Sequence, residues 1–209
     1  MTYDSNNTIA QFLDGTAAKQ PAPGGGSVTA LVGALSAAIG EMVLNYSVGK
    51  KGLEAHQPQL QAALKELHRA RQLMAELMVE DQTAYQALTA ARKLTRDSAE
   101  WKSDYPPAVL ASIRTPEAIA ATAAAILATC DRLVDSVNFY LLSDLAVCAE
   151  LAMATVRCGV YNVRVNQSSL TDASDRERVD QTIAQILLHA TSLIQRVIPR
   201  IWDRNAQGK

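Results

Sequence analysis

The sequence predicts an all-α fold, a multihelical up-and-down bundle with long antiparallel helices, and three observations carry that expectation. Hydrophobic residues make up 48% of the 209 residues while aromatics make up only 5%. The core must therefore be built from Ala, Leu, Val and Ile, a composition that suits packed helices better than a β-sandwich. Apolar residues recur at three- and four-residue spacing along the chain, and no stretch alternates with the period of a strand. Helix-capping and helix-breaking residues stand between these periodic stretches. At this length one helical domain covers residues 1–209 and can bury a substantial core.

The elements follow in order. A first amphipathic helix is expected from about Asn6 to Lys19 through Ile9, Phe12 and Leu13. Pro21-Ala22-Pro23-Gly24-Gly25-Gly26-Ser27 then forms a loop in which Ser27 caps a second helix reaching Val48. A long third helix spans about Pro58 to Leu94. Lys93 to Thr115, with Trp101, Tyr105 and Pro106-Pro107, reads as a loop with a short helical turn. Thr115-Pro116-Glu117 puts a proline at the first position of a fourth helix running to about Val137. A fifth covers Leu142 to Val165, and Thr171-Asp172 or Ser174 caps a last one to about Arg200.

Polar residues inside apolar patterns mark the candidate site. Glycines let a ligand approach the backbone without meeting a Cβ, and a glycine loop at a helix N-terminus can hold an anion or a carbonyl oxygen; the alternative is a tight connector. On the second helix, Thr29, Gly33, Ser36, Gly40 and Ser47 form a small-residue face, while Glu41 and Asn45 lie one turn apart on another. Those two either serve a site or reach water at the bundle end. The third helix carries the stripe Leu60, Leu64, Leu67, Arg71, Met74, Met78, Asp81, Tyr85, Leu88. Asp81 thus falls where the core should be, and a buried carboxylate needs a hydrogen bond, a partner or a ligand. Arg71, almost three turns away, is not expected to be that partner. On the fifth helix, Asp144, Cys148, Leu151, Thr155 and Asn162 fall close to one face, with Asn166 a turn further. Ser143 or Asp144 could simply cap that helix. Asp144 and Asn162 are eighteen residues apart, about 27 Å along a helix. One ligand can meet both only if a second subunit supplies one of them, which points to a site at an antiparallel homodimer interface.

Other classes fall away. Net charge is −1 with no basic run, so neither nucleic acid nor a membrane surface is an expected partner. Glu41 and Asn45 interrupt the apolar run of the second helix short of the ~20 residues that span a bilayer, and Met1-Thr2-Tyr3-Asp4 does not open a signal peptide. Cys130, Cys148 and Cys158 lack metal or disulfide spacing and read as buried, reduced residues of a cytoplasmic protein. His56, His68 and His189 show no zinc spacing. The glycine loop lacks the lysine of a P-loop, and no strand precedes it as a dinucleotide fold requires.

Pro21-Ala-Pro-Gly-Gly-Gly-Ser27, Glu41-Met42, Gly49-Lys50-Lys51, Glu80-Asp81, Ala84-Tyr85, Asn138, Ser143-Asp144, Asn162 and Asn166, in that order, resemble the cyclodeaminase/cyclohydrolase family of folate enzymes. The resemblance covers about Thr8 to Asn166. It implies a helical homodimer that acts on a reduced folate, with or without a polyglutamate tail, without metal or any cofactor beyond the tetrahydrofolate substrate. Members either hydrolyse 5,10-methenyltetrahydrofolate to 10-formyltetrahydrofolate or cyclise 5-formiminotetrahydrofolate with release of ammonia. Both reactions pass through a tetrahedral carbon between N5 and N10 and need proton transfer at nitrogen. Asp81 and Asp144 are the implied acid/base and pterin-orienting pair. Gly24, Gly25, Gly26 and Ser27 would offer backbone donors. Glu41, Asn45, Ser143, Asn162 and Asn166 would line the substrate, and Lys50 and Lys51 would attract the glutamate tail. Val137, Tyr140 and the segment from Leu94-Thr95 through Trp101 depart from the family pattern. The rival expectations are a silent folate- or heterocycle-binding homologue and a helical interaction protein.

Overall fold

A computed structural model describes residues 2–208. The helices are α1 (Ile9–Ala17), α2 (Gly25–Asn45), α3 (Gln57–Ala91), α4 (Ala99–Leu133), α5 (Leu142–Gln167) and α6 (Ala173–Ala206). Single 3₁₀ turns, Glu54–His56 and Phe139–Leu141, lead into α3 and α5. No strand occurs among the described residues, and the all-α expectation holds. Cross-helix contacts fix the directions. Ser27 meets Asp81 and Glu41 meets Arg71, so α2 and α3 are antiparallel. Glu66 meets Thr129 and Asn166 meets Ser112, which sets α4 against α3 and α5 against α4. Arg196 and Arg200 pair with Asp131, and Arg200 also with Asp135, so α6 runs alongside α4 in the same sense.

Local chemistry accounts for the boundaries. Thr8 and Gln11 form a reciprocal capping box at the start of α1, worth about 1 kcal/mol to such a helix. α2 starts earlier than expected: Gly24 is the cap, and Gly25 and Gly26 lie inside the first turn. Ser27 is not the cap, because its hydroxyl is turned to α3. At the far end of α2 the chain reverses through Gly49 (φ 74°) and Gly52 (φ 89°), left-handed positions that glycine takes without steric cost. Lys50 and Lys51 ride on this turn.

The largest departure is α4. It begins at Ala99 with Ser98 as its cap and continues through Pro106, Pro107 and Pro116 to Leu133. The expected loop shrinks to residues 92–98, and Pro116 sits mid-helix, not at a helix start. Pro106 and Pro107 deprive the carbonyls of Lys102 and Ser103 of their amide partners, but those residues are exposed and water can replace them. Pro116 is buried, and the carbonyl it leaves free, that of Ser112, receives the Asn166 side-chain amide at 2.8 Å.

Two buried clusters fill the bundle. The larger draws on all six helices and includes Phe12, Leu44, Leu60, Leu67, Met74, Leu127 and Met153. The smaller, around Leu88, Val109, Ile113, Val160, Val163 and Ile183, fills the end where α2 begins. Small residues let the helices close up. A Cβ on Gly159 would stand 3.0 Å from the Pro116 carbonyl oxygen and 2.9 Å from Ala120 Cβ. Cys130 and Cys148 are buried with sulfurs 3.4 Å apart, and Ser36 donates to the Cys148 carbonyl at 2.8 Å. Cys158, expected inside, is exposed on the outer side of α5.

The expectation that Glu41 and Asn45 cut α2 short of membrane-spanning length fails. α2, α4 and the 139–167 stretch are each long and apolar enough by length and composition, since one carboxylate does not offset so many apolar residues. About half of each apolar window is buried within the bundle. The α4–α5 contact tests the packing because Gly159 meets backbone as well as side chain. Gly159→Val should force the two helices apart and destabilise the protein by about 1–3 kcal/mol, seen as a melting temperature lowered by roughly 2–4 °C per kcal/mol.

Candidate functional site

Residues 60, 67, 74, 81 and 88 are spaced by seven along α3 and stand above one another. Leu60, Leu67, Met74 and Leu88 are all buried. Asp81 interrupts this seam where it passes the start of α2. Its carboxylate touches the α2 backbone directly: a Cβ on Gly26 would lie 1.9 Å from Asp81 Oδ1. Glycine is required there for contact, not for a special φ. The Ser27 hydroxyl donates to Asp81 Oδ2 at 2.8 Å, and the nearby Ser27 amide favours the ionised carboxylate. Asp81 thus caps a neighbouring helix, placing negative charge at the N-terminal end of its dipole. No lysine or arginine among the described residues lies within ion-pairing distance of it. Burial raises its pKa above the ordinary carboxylate value, and the Ser27 hydroxyl and amide offset part of that rise.

A pocket of about 210 Å³ opens over this contact. Gly24, Gly25, Gly26, Asp81, Asn162 and Asn166 all line it, with Tyr85 and Leu88 on the apolar side. Six of the residues singled out from sequence therefore meet in one place. Asn162 Nδ2 donates to the Cys158 carbonyl of its own helix at 3.1 Å. Its Oδ1 faces Gly25, where a Cβ would lie 3.5 Å away. Gln82, also on the wall, is consumed by the N-terminal segment: it accepts from the Tyr3 amide at 2.8 Å and donates to the Tyr3 carbonyl at 2.7 Å. Sequence reasoning missed this strap, because nothing local in Tyr3 or Gln82 announces a pairing across the fold. Asp81 is the one acidic residue among the described residues lining the pocket. A proton-accepting carboxylate, free first-turn amides and two amide oxygens can together hold and protonate a nitrogen heterocycle.

The remaining singled-out residues lie elsewhere in the chain. Glu41 is bound by Arg71 Nε at 2.5 Å and by His68 Nδ1 at 3.3 Å, and Asn45 is exposed beside it. Arg71, left without a partner by sequence, finds it on α2. Lys50 Nζ sits 5.7 Å from the centre of the exposed Tyr140 ring, while Ser143 is exposed and Asp144 half-buried in the first turn of α5. Asn138 secures this end: its amide donates to Ser47 Oγ at 2.9 Å. Because α2 and α5 run antiparallel, the Lys50–Asp144 group and the pocket occupy opposite ends of the protomer.

The family model described as formiminotransferase-cyclodeaminase matches residues 8–185. Methenyltetrahydrofolate cyclohydrolase from Methylorubrum extorquens is 28% identical over 196 residues, covering 92% of this chain and 94% of that protein. Formimidoyltransferase-cyclodeaminase from Sus scrofa is 28% identical over 202 residues, covering 95% of this chain but only 37% of that longer protein. The crystal structure of formiminotetrahydrofolate cyclodeaminase from Thermotoga maritima superposes with a TM-score of 0.89 at 24% identity, covering 95% of this chain and 97% of that one, a likeness of fold. With its site at the Gly24–Ser27 start of α2 and the match spanning most of its length, the chain belongs to the formiminotransferase-cyclodeaminase family.

Proposed function

We propose that the protein is a folate one-carbon enzyme that hydrolyses 5,10-methenyltetrahydrofolate to 10-formyltetrahydrofolate. The carrying observation is the half-buried Asp81 carboxylate, unpaired by any cation among the described residues and held at the α2 N-terminus inside a pocket. Water must lose a proton as it adds to the methenyl carbon, and N5 must gain one as the C–N5 bond breaks. A carboxylate with a raised pKa can take the first proton and return the second. While ionised it also opposes the charge of the methenyl cation. Neither step changes an oxidation state, so the reading needs no redox cofactor, and it assigns no metal. A second reading is cyclisation of 5-formiminotetrahydrofolate with loss of ammonia, favoured by the pig bifunctional relative, which matches this chain at the same identity. The cyclohydrolase is preferred because the Methylorubrum extorquens cyclohydrolase and this chain cover one another almost end to end at 28% identity, against 24% for the equally well covered Thermotoga maritima cyclodeaminase.

We further propose a homodimer that completes the site. A pocket of about 210 Å³ is smaller than the ~300–1,000 Å³ usual for small-molecule sites, so it takes only part of a folate. Beside it, α2 and α5 carry apolar residues that the chain leaves exposed: Leu35, Tyr46, Val147, Tyr161 and Val165. Such a face is expected to be covered. A two-fold axis packing α2 antiparallel on α2 of a second copy covers it. It also sets the pocket of one protomer against the other protomer's Glu41, Asn45, Lys50, Lys51, Ser143 and Asp144. In that arrangement Asp144 reaches the reacting end and the two lysines meet the glutamate tail.

Two tests follow. The raised pKa of Asp81 means that the folded chain holds this proton more tightly than the unfolded chain. Its contribution to stability is therefore full below the ordinary aspartate pKa and is lost as pH rises through the folded value. Asp81→Asn, which stays neutral, should raise the melting temperature at neutral pH, with the gain vanishing as pH falls below about 4. The same substitution should slow the loss of methenyl absorbance by about 10²–10⁴-fold. A wild-type rate in the variant would overturn the role of Asp81, and ammonia release from formiminotetrahydrofolate without hydrolysis would select the second reading.

For the shared site, light scattering should give twice the 22.5 kDa of one chain. Inactive Asp81→Asn and Asp144→Asn proteins, unfolded together and refolded as a mixture, should recover roughly one quarter of wild-type activity, because half the dimers are mixed and each rebuilds one intact site. No recovery would place both aspartates in one protomer's site.

A further inference from the structure

Pro116 is a buried proline in the interior of a 35-residue helix, a position that ordinarily breaks or strongly destabilises a helix. Within α4 its missing N–H would have bonded to the carbonyl of Ser112, four residues earlier. That carbonyl faces the pocket region, which Ser112 helps to line. It does not go unsatisfied: Asn166 of α5 donates to it through Nδ2 at 2.8 Å. The reach is possible because α5 presses on α4 one turn away, where Gly159 has no Cβ to meet the Pro116 carbonyl. An asparagine amide has one oxygen and one NH₂ group, and fixing the NH₂ fixes the oxygen.

We propose that Pro116 is a positioning residue for the pocket. By removing the helical amide proton it makes the Ser112 carbonyl the standing partner of Asn166 Nδ2, and so holds Asn166 Oδ1 as a hydrogen-bond acceptor toward the ligand. Asn162 is held in the same sense, its Nδ2 spent on the Cys158 carbonyl and its Oδ1 beside Gly25. With Asp81, these amide oxygens give a ligand three side-chain acceptors beside the Tyr85 hydroxyl, while Gln82 is occupied by Tyr3 and the Met78 carbonyl. An acceptor-lined wall selects an N–H-rich edge. For a reduced folate, the reading on which this inference rests, that edge is the aminopyrimidine part of the pterin, so the pterin head enters this pocket and the tail leaves it.

A mutant cycle tests this with calorimetric titration of 5-formyltetrahydrofolate and thermal unfolding of wild type, Pro116→Ala, Asn166→Ala and the double variant. In Pro116→Ala the helix satisfies Ser112 itself and the Asn166 amide is free to flip. Its melting temperature should equal or exceed wild type, while affinity falls about tenfold, the value of one well-placed hydrogen bond. Asn166→Ala should lose a similar factor, and the double variant no more than either. Wild-type affinity in Pro116→Ala, or losses that multiply in the double variant, would overturn the proposal. If wild type binds no 5-formyltetrahydrofolate, the folate reading fails, and unfolding alone then decides the link. Asn166→Ala should lower the melting temperature by about 2–4 °C or more when Pro116 is present and hardly at all beside Pro116→Ala. Equal losses in both backgrounds would refute it.

Discussion

The structure turns on one carboxylate placed in a seam of leucine and methionine. Half-burying Asp81 between Met74 and Leu88 opposes folding unless something replaces the water it loses. What replaces it is the first turn of α2, through the hydroxyl and amide of Ser27. That solution dictates much of the Pro21–Ser27 motif. Gly26 must lack a Cβ because the carboxylate lies against its Cα. Ser27 cannot cap its own helix because its side chain is committed to α3, so the cap falls to Gly24. The helix start, the acid and the pocket above them form one unit, and a change in any of them moves the others.

The same bundle geometry separates the polar residues into two groups. Long antiparallel helices keep α2 and α5 side by side over their whole length, which sends Asn162 and Asn166 to one end and Asp144, with the Lys50 turn, to the other. Between the groups lies a face of exposed apolar side chains. Polar ends joined by an apolar face suit two-fold pairing, in which the end that is remote in one protomer becomes adjacent through its partner. Glu41 shows how such an end is held: Arg71 and His68 fix it across the α2–α3 contact.

The helical class, most of the elements and the odd place of Asp81 in an apolar seam were legible because they are written in local periodicity. A carboxylate at a seven-residue repeat of Leu60, Leu67, Met74 and Leu88 is visible before any contact is known. The glycine motif was legible as a helix start but not in its details, since Ser27 answers to Asp81, 54 residues away. Pro116 was misread as a helix start for a similar reason. Proline ends helices unless another group serves the carbonyl it leaves free, and that group, Asn166, is supplied by a different helix. Glu41, placed on a promising face by sequence, is tied instead to α3 by an ion pair that periodicity cannot foresee.

Hydrolysis of a methenyl bridge and cyclisation of a formimino group share a tetrahedral carbon flanked by nitrogen. Each needs a proton removed from one heteroatom and delivered to another, which a single carboxylate with a raised pKa can do for either. Asp81 and its helix start therefore suit both chemistries, and the difference must come from water. A cyclohydrolase admits water to the methenyl carbon, while a cyclodeaminase keeps it away from the product it has just formed. Control of water belongs to whatever closes the mouth of the pocket, not to its floor. In the proposed two-fold assembly that closure would be the partner's end of α2 and start of α5, where Tyr140 stands 80% exposed over the Lys50 turn. On the proposed function, reaction choice then falls to Tyr140 and the Lys50 turn, while the Asp81 seam would supply the proton transfer common to both.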